Sequence, residues 1–175
     1  SAPQEVSVGT LDGNGKGKPI FWMSGDAAKL IIKGGKICNS SKSAIYCDSS
    51  NSTVQIDGGY ICGNSVNEIG GGAAISAEKP TTIHITGGCI YNNTSQGNGG
   101  AIYSEGADVT VSGGYIFSNS ARTNAEGGGG AIYAQGGSVV LNGGYLFDNS
   151  ARGGYGGAVC MKDGTLTVSD SAVLA

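Results

Sequence analysis

The sequence predicts an all-β chain wound as a right-handed parallel β-helix, a solenoid of about six and a half coils of 24–30 residues each. Three observations predict it. The phrase "GGAIYSEGADVTVSGGYIFSNSA" from Gly99 returns with small edits as "GGAIYAQGGSVVLNGGYLFDNSA" from Gly129. Apolar residues alternate with polar ones at period two, the mark of a strand with one buried face. The 34 glycines among 175 residues are about a fifth of the chain, against an ordinary ~7 %. Together, short strands recurring at a fixed spacing between glycine corners describe repeats that bury their apolar faces on one another.

A glycine pair gives the frame. Its first members are Gly34, Gly58, Gly87, Gly113 and Gly143. Before each pair comes an apolar-x-apolar strand: Leu30/Ile32, Val54/Ile56, Ile83/Ile85, Val109/Val111 and Val139/Leu141. Three residues after each first glycine stands Ile37, Ile61, Ile90, Ile116 or Leu146. A second short strand per copy is predicted at "PIFW" from Pro19, "AIYC" from Ala44, "AAISA" from Ala73, "AIYS" from Ala101, "AIYA" from Ala131 and "AVCM" from Ala158. Degenerate copies flank the rest, with Val8 at the marker position in one and Asp170 in the other. Six residues past each marker the frame places Asn14, Ser40, Asn64, Asn93, Asn119 and Asn149. The five asparagines Asn14, Asn64, Asn93, Asn119 and Asn149 are expected to stack into a ladder whose amides bond along the column and to turn backbone.

Other architectures fit worse. No segment has a 3.6 period, so helical repeats and βαβ units are not expected. Propeller blades need four strands in ~40 residues. There is no Gly-X-Y period. Net charge is −3, with no basic stripe of the kind nucleic acid requires, and no apolar run is long enough to cross a bilayer as a helix.

At these residues the chain resembles the repeats of chlamydial polymorphic outer-membrane proteins. Those carry GGA followed by Ile, Leu or Val, paired with F-x-x-N. Similar repeats occur in large bacterial surface adhesins. The GGA element stands here at Gly100–Ile102, Gly130–Ile132 and Gly157–Val159, and Gly72–Ile75 carries an extra alanine. In the second element Ile61, Ile90, Ile116 and Leu146 occupy the Phe position. The resemblance runs from about Val6 to Leu174. It implies a secreted or surface-displayed, adhesin-like or stalk protein, and it implies no particular ligand.

Candidate chemistry lies on the outward positions of the first strands. Pectin-degrading enzymes with this fold use clustered carboxylates there, often with calcium. Asp57, His84 and Asp108 are the residues able to act so, on three successive coils but in different columns. The alternative is a solvated Thr/Ser-rich surface, and the expectation is a non-catalytic protein without cofactor or metal. Arg122 and Arg152, the only arginines, share a column; they suit an acidic glycan, or pair locally with acids such as Glu126. Cys38 and Cys62 occupy one frame position on adjacent coils, ~4.8 Å apart, within disulfide range. Tyr60, Tyr115 and Tyr145 form an aromatic column beside Tyr91, Phe117 and Phe147. That column is readable as corner packing or as an exposed strip for sugars or protein.

Residues 1–175 read as a single domain, either an excerpt of a longer solenoid or a subunit that docks head to tail into a filament. Residues 1–45 carry a charge of +3 and the remainder −6, which suits end-to-end attraction. The expected role is a stiff extracellular or cell-surface rod for display, adhesion or fibre assembly, its partners other protein chains or surface glycans. The competing reading is a carbohydrate-active β-helix, either a lyase, a hydrolase or a glycan-binding module.

Overall fold

A computed structural model of the chain describes residues 3–7, 9–68, 70–123, 127–169 and 171–175. Among them every regular element is a strand, and the strands stack in parallel as a β-solenoid of about six turns. Val8, Glu126 and Asp170 lie outside the described residues.

The strands form four stacks, three of which run the length of the described residues while the fourth is confined to the middle coils. Stack A comprises Phe21–Met23, Ile45–Cys47, Ile75–Ala77 and Ile102–Glu105. Stack B comprises Gln4–Val6, Lys29–Ile32, Ser52–Ile56, Thr81–Ile85 and Asp108–Val111. The longer strands Ile132–Leu141 and Val159–Val168 run through both stacks and join them into one eleven-stranded sheet. Stack C has seven strands: Thr10–Asp12, Lys36–Cys38, Tyr60–Cys62, Cys89–Tyr91, Tyr115–Phe117, Tyr145–Phe147 and Val173–Leu174. Stack D is four two-residue strands, Ser65–Val66, Thr94–Ser95, Ser120–Ala121 and Ser150–Ala151. A full coil thus holds up to four strands rather than the two read from the sequence. The chain re-extends after the glycine pair, and again after the asparagine, wherever it can bond to the coil beside it.

Register between coils is direct. Val54, Ile83, Val109 and Val139 pair in one line, and Ile56, Ile85, Val111 and Leu141 in the next. Ile61, Ile90, Ile116 and Leu146 form the line in stack C, and Ile45, Ile75, Ile102 and Ile132 the line in stack A. All of these side chains are at most 1 % exposed. Each contributes about 1.5–3 kcal/mol by leaving water, and a one-residue slip would turn a whole line outward. The β-branched residues that dominate the lines suit a pleated, buried surface.

The glycine pair is required by this close stacking. A Cβ at Gly87 would lie 2.4 Å from the Asp57 carbonyl oxygen of the preceding coil, and Gly88 has φ +78°. The corner turns into stack C with the backbone of one coil resting on the backbone of the last.

Candidate functional site

The outer face of stack B holds the three candidate catalytic residues. Asp108 stands in the line Thr53–Thr82–Asp108–Ser138, and His84 in the line Gln55–His84–Thr110–Val140. Asp57 follows one residue beyond Ile56, beside Thr86 of the next coil. The three form a diagonal, and the two carboxylates are four residues and two coils apart, on the order of 15 Å. Paired carboxylates of glycoside hydrolases sit within about 5–10 Å. Each acid is also already engaged. Thr86 Oγ1 donates to Asp57 Oδ1 at 2.7 Å, and Gln55 Nε2 donates to both Asp57 oxygens. These bonds hold the Asp57 carboxyl below its ordinary range, the Thr86 bond contributing most, which favours the ionised form. Ser138 Oγ donates to Asp108 Oδ1 at 2.6 Å. The arrangement leaves three separated polar groups on an open sheet.

The asparagine column is a continuous hydrogen-bond ladder. Asn64 Nδ2 donates to Asn93 Oδ1 at 2.9 Å, Asn93 to Asn119 at 3.0 Å and Asn119 to Asn149 at 3.0 Å. Each amide also donates back to a carbonyl of the preceding coil, at Ile37, Ile61, Ile90 and Ile116 in turn. Each Oδ1 accepts, in addition, the backbone N–H of the residue below it. Asn14 departs from the expectation. Gly13 bonds to the Cys38 carbonyl and packs against Ser40, which turns Asn14 outward, exposed and with φ +49°. The glycines of "DGNGKG" let the chain leave the frame one residue early, so the ladder ends on the backbone N–H of Ser40.

Arg122 and Arg152 lie exposed on adjacent coils, directly after the paired strands Ser120–Ala121 and Ser150–Ala151. Cys38 and Cys62 are brought side by side in register, yet both are free, as are Cys47, Cys89 and Cys160. Both cysteines are buried; burial pushes the Cys38 thiol up, and Cys62 bonds the Tyr91 hydroxyl. A protonated, covered thiol is a poor nucleophile for exchange.

Both aromatic columns of stack C face outward, one on either side of the buried isoleucine line. Tyr91, Phe117 and Phe147 are stacked with ring centroids 5.0 Å apart and planes within 3°. Tyr115 and Tyr145 stack at 5.1 Å, and Tyr60 meets Tyr91 edge to face at 6.5 Å. The Tyr91–Phe117–Phe147 column is half-buried, whereas Tyr60, Tyr115 and Tyr145 are about half exposed. Corner packing and an exposed strip thus coexist on one face.

The sequence reading missed a cavity of about 210 Å³ on stack A beside Trp22 and Tyr46. Its signal was a serine, Ser76, standing where neighbouring coils carry rings.

Residues 88–105 match the family model of the Chlamydia polymorphic membrane protein repeat. That segment contains Ile90 and Asn93 of the ladder corner and the "GGAI" at Gly99–Ile102, so the matched element spans the stack C, D and A strands of one coil and stops short of its stack B strand. The β-solenoid resembles the repeats of those proteins. No curated protein and no solved structure matches the chain.

Proposed function

We propose that the chain is a non-catalytic, adhesin-like β-solenoid displayed at a cell surface or outside the cell, acting as a stiff rod that holds its outer columns in place for adhesion. The observation that carries this reading is the unbroken in-register stacking of apolar lines and amide ladder beneath an outward aromatic strip. A rod of this kind needs no moving part, and its rings project from a backbone fixed by bonds to both neighbouring coils. The repeat match at residues 88–105 supports the surface assignment.

The test is adhesion of the purified chain, coupled to beads, to cultured cells and to glycan-coated surfaces. Saturable capture that falls when Tyr60, Tyr115 and Tyr145 are replaced together by Ser is the expected result. Depolymerisation of an acidic polysaccharide, lost in Asp57→Ala or Asp108→Ala, would replace this reading with the enzymatic one.

The lysine-rich first coils and acid-rich later coils favour, as a second reading, head-to-tail contact between copies. Light scattering over a concentration series decides it: a mass that rises with concentration and falls back with salt is expected, and a constant monomer mass rejects it.

A further inference from the structure

The outward line of stack A runs Trp22, Tyr46, Ser76, Tyr103, Tyr133, in register from coil to coil. Trp22 and Tyr46 meet edge to face at 6.4 Å, and Tyr103 and Tyr133 stack at 5.7 Å. Ser76 interrupts this run of rings. The cavity lies beside Ser76 on the Trp22–Tyr46 side, walled by Trp22 and Tyr46 of the two preceding coils and by Val66, Gly70 and Gly71 of the segment that leads into the Ser76 strand.

We propose that this cavity binds a single pyranose ring of a neutral or amino-substituted glycan. The inference rests on the adhesive reading above and names a ligand class for one part of that surface. Size comes first: about 210 Å³ is smaller than the roughly 300–1,000 Å³ that holds a drug-sized molecule, and suits one ring. The wall is apolar, flat and held in place. Trp22 is 63 % exposed, yet its Nε1 donates to Asp48 Oδ2 at 2.9 Å, which fixes the indole with an open face for the C–H side of a sugar.

The floor wants a hydroxyl. Ser76 is 1 % exposed, and its Oγ has no hydrogen-bond partner among the described residues. A buried hydroxyl left unmatched costs on the order of 1–3 kcal/mol, a cost that a ligand hydroxyl at that point removes. Beside it the Tyr46 hydroxyl donates to Glu78 Oε2 at 2.7 Å, leaving the other carboxylate oxygen to accept from a ligand. Lys42 and Glu68 form an ion pair at the rim.

Charge selects among sugars. Glu68 and Glu78 line the cavity and Asp48 stands behind Trp22, against the single ammonium of Lys42. Uronic and sulfated sugars meet repulsion there, while hydroxyls and ammonium groups meet acceptors.

Trp22 is the only tryptophan, so its fluorescence reports on this cavity alone. The experiment titrates the full chain with methyl β-glucopyranoside, methyl β-glucosaminide and methyl β-glucuronide. A saturable change at millimolar concentration with the first two, and at least tenfold weaker response to the glucuronide, is expected. Ser76→Ala should weaken binding about fivefold, the loss of one hydrogen bond. Ser76→Tyr restores the missing ring and should abolish binding. Trp22→Ala, followed by calorimetry, should weaken binding at least tenfold with an unchanged urea midpoint, since the indole is largely exposed. The proposal is overturned by a linear, unsaturated response to all three glycosides, by preference for the glucuronide, or by full binding in both Ser76→Tyr and Trp22→Ala. Loss of pyranose binding in Ser76→Tyr with bead adhesion intact leaves the adhesive reading standing without this ligand as its basis. Pyranose binding by a chain that adheres to nothing rejects the adhesive reading alone.

Discussion

Asn93 Nδ2 donates at 3.0 Å to Asn119 Oδ1 one coil further on, while Asn93 Oδ1 accepts both the backbone and the side-chain N–H of Asn64. One amide therefore satisfies groups on three coils, and it is fully buried. Replacing Asn93 by Ala takes the acceptor from the backbone N–H and from a side-chain N–H of Asn64, both away from water. Each such group costs about 1–3 kcal/mol, so Asn93→Ala should lower stability by about 2–5 kcal/mol in urea unfolding. Asn149→Ala should cost less, because Asn149 is only half-buried and water reaches its partners. Equal effects at the two positions would show that the ladder does not act through burial.

The corner glycines make a sharper contrast. At Gly87 a methyl group meets the Asp57 carbonyl oxygen at 2.4 Å, and neither side of that contact is a flexible side-chain end. At Gly25 a methyl group meets nothing within 4 Å, and φ lies outside the left-handed region. Gly87→Ala should therefore cost at least ~2 kcal/mol by backbone displacement, as overpacking does. Gly25→Ala should be neutral or stabilising by about 0.4–1 kcal/mol through the unfolded chain. Urea midpoints of the two variants, measured side by side, check this.

Alkaline pH should unfold the protein earlier than its modest charge suggests. Burial pushes the Cys47 thiol and the Tyr103 phenol up to about 12, and the Tyr91 phenol is raised to about 12 chiefly by its bond with Cys62. These groups ionise in the unfolded chain near pH 8.5–10 while still protonated in the folded one. The folded state then binds more protons, so stability falls as pH rises. Their contribution is flat below about pH 8 and declines from about pH 9 towards 12. Urea midpoints from pH 7 to 11 should show that decline. Tyr103→Phe, which keeps the ring stacked on Tyr133, should make it shallower.

Alternation and the glycine pair made the stacked lines legible, because a period of two and a forced close approach leave few ways to pair strands. Asn64, Asn93, Asn119 and Asn149 were legible for the same reason: a residue at constant offset from a fixed corner must stack. Asn14 shows where counting fails. The offset holds only while the intervening turn is the same, and the glycines at 13, 15 and 17 change it. Cys38 and Cys62 show a second limit. Spacing along the chain gave their register, but not the bond of Cys62 to the Tyr91 hydroxyl on the next coil. The cavity at Ser76 was invisible for a related reason. It lies where Ser76 breaks the run of rings after Trp22 and Tyr46, and that becomes readable only once the stack-A register is known.

The aromatic face of stack C separates stability from adhesion, and its two columns should respond differently to truncation. Phe117 lies between Tyr91 and Phe147 at 5.0 Å from each and is half-buried, so Phe117→Ala removes two stacking contacts. A loss of about 2–3 kcal/mol is expected, below the ~3–5 of a fully buried phenylalanine. Tyr115 and Tyr145 stack only on each other and are 46 % and 47 % exposed. Tyr115→Ser should cost about 1 kcal/mol or less, the value of an exposed aromatic pair. If the outer tyrosines make the adhesive contact, bead capture should fall in Tyr115→Ser far more than in Phe117→Ala once both are compared at equal folded fraction. The reverse order, with capture tracking stability alone, would mean that adhesion needs the intact rod but not these rings. The contact would then lie on another face, with the ring gap at Ser76 the next place to measure it.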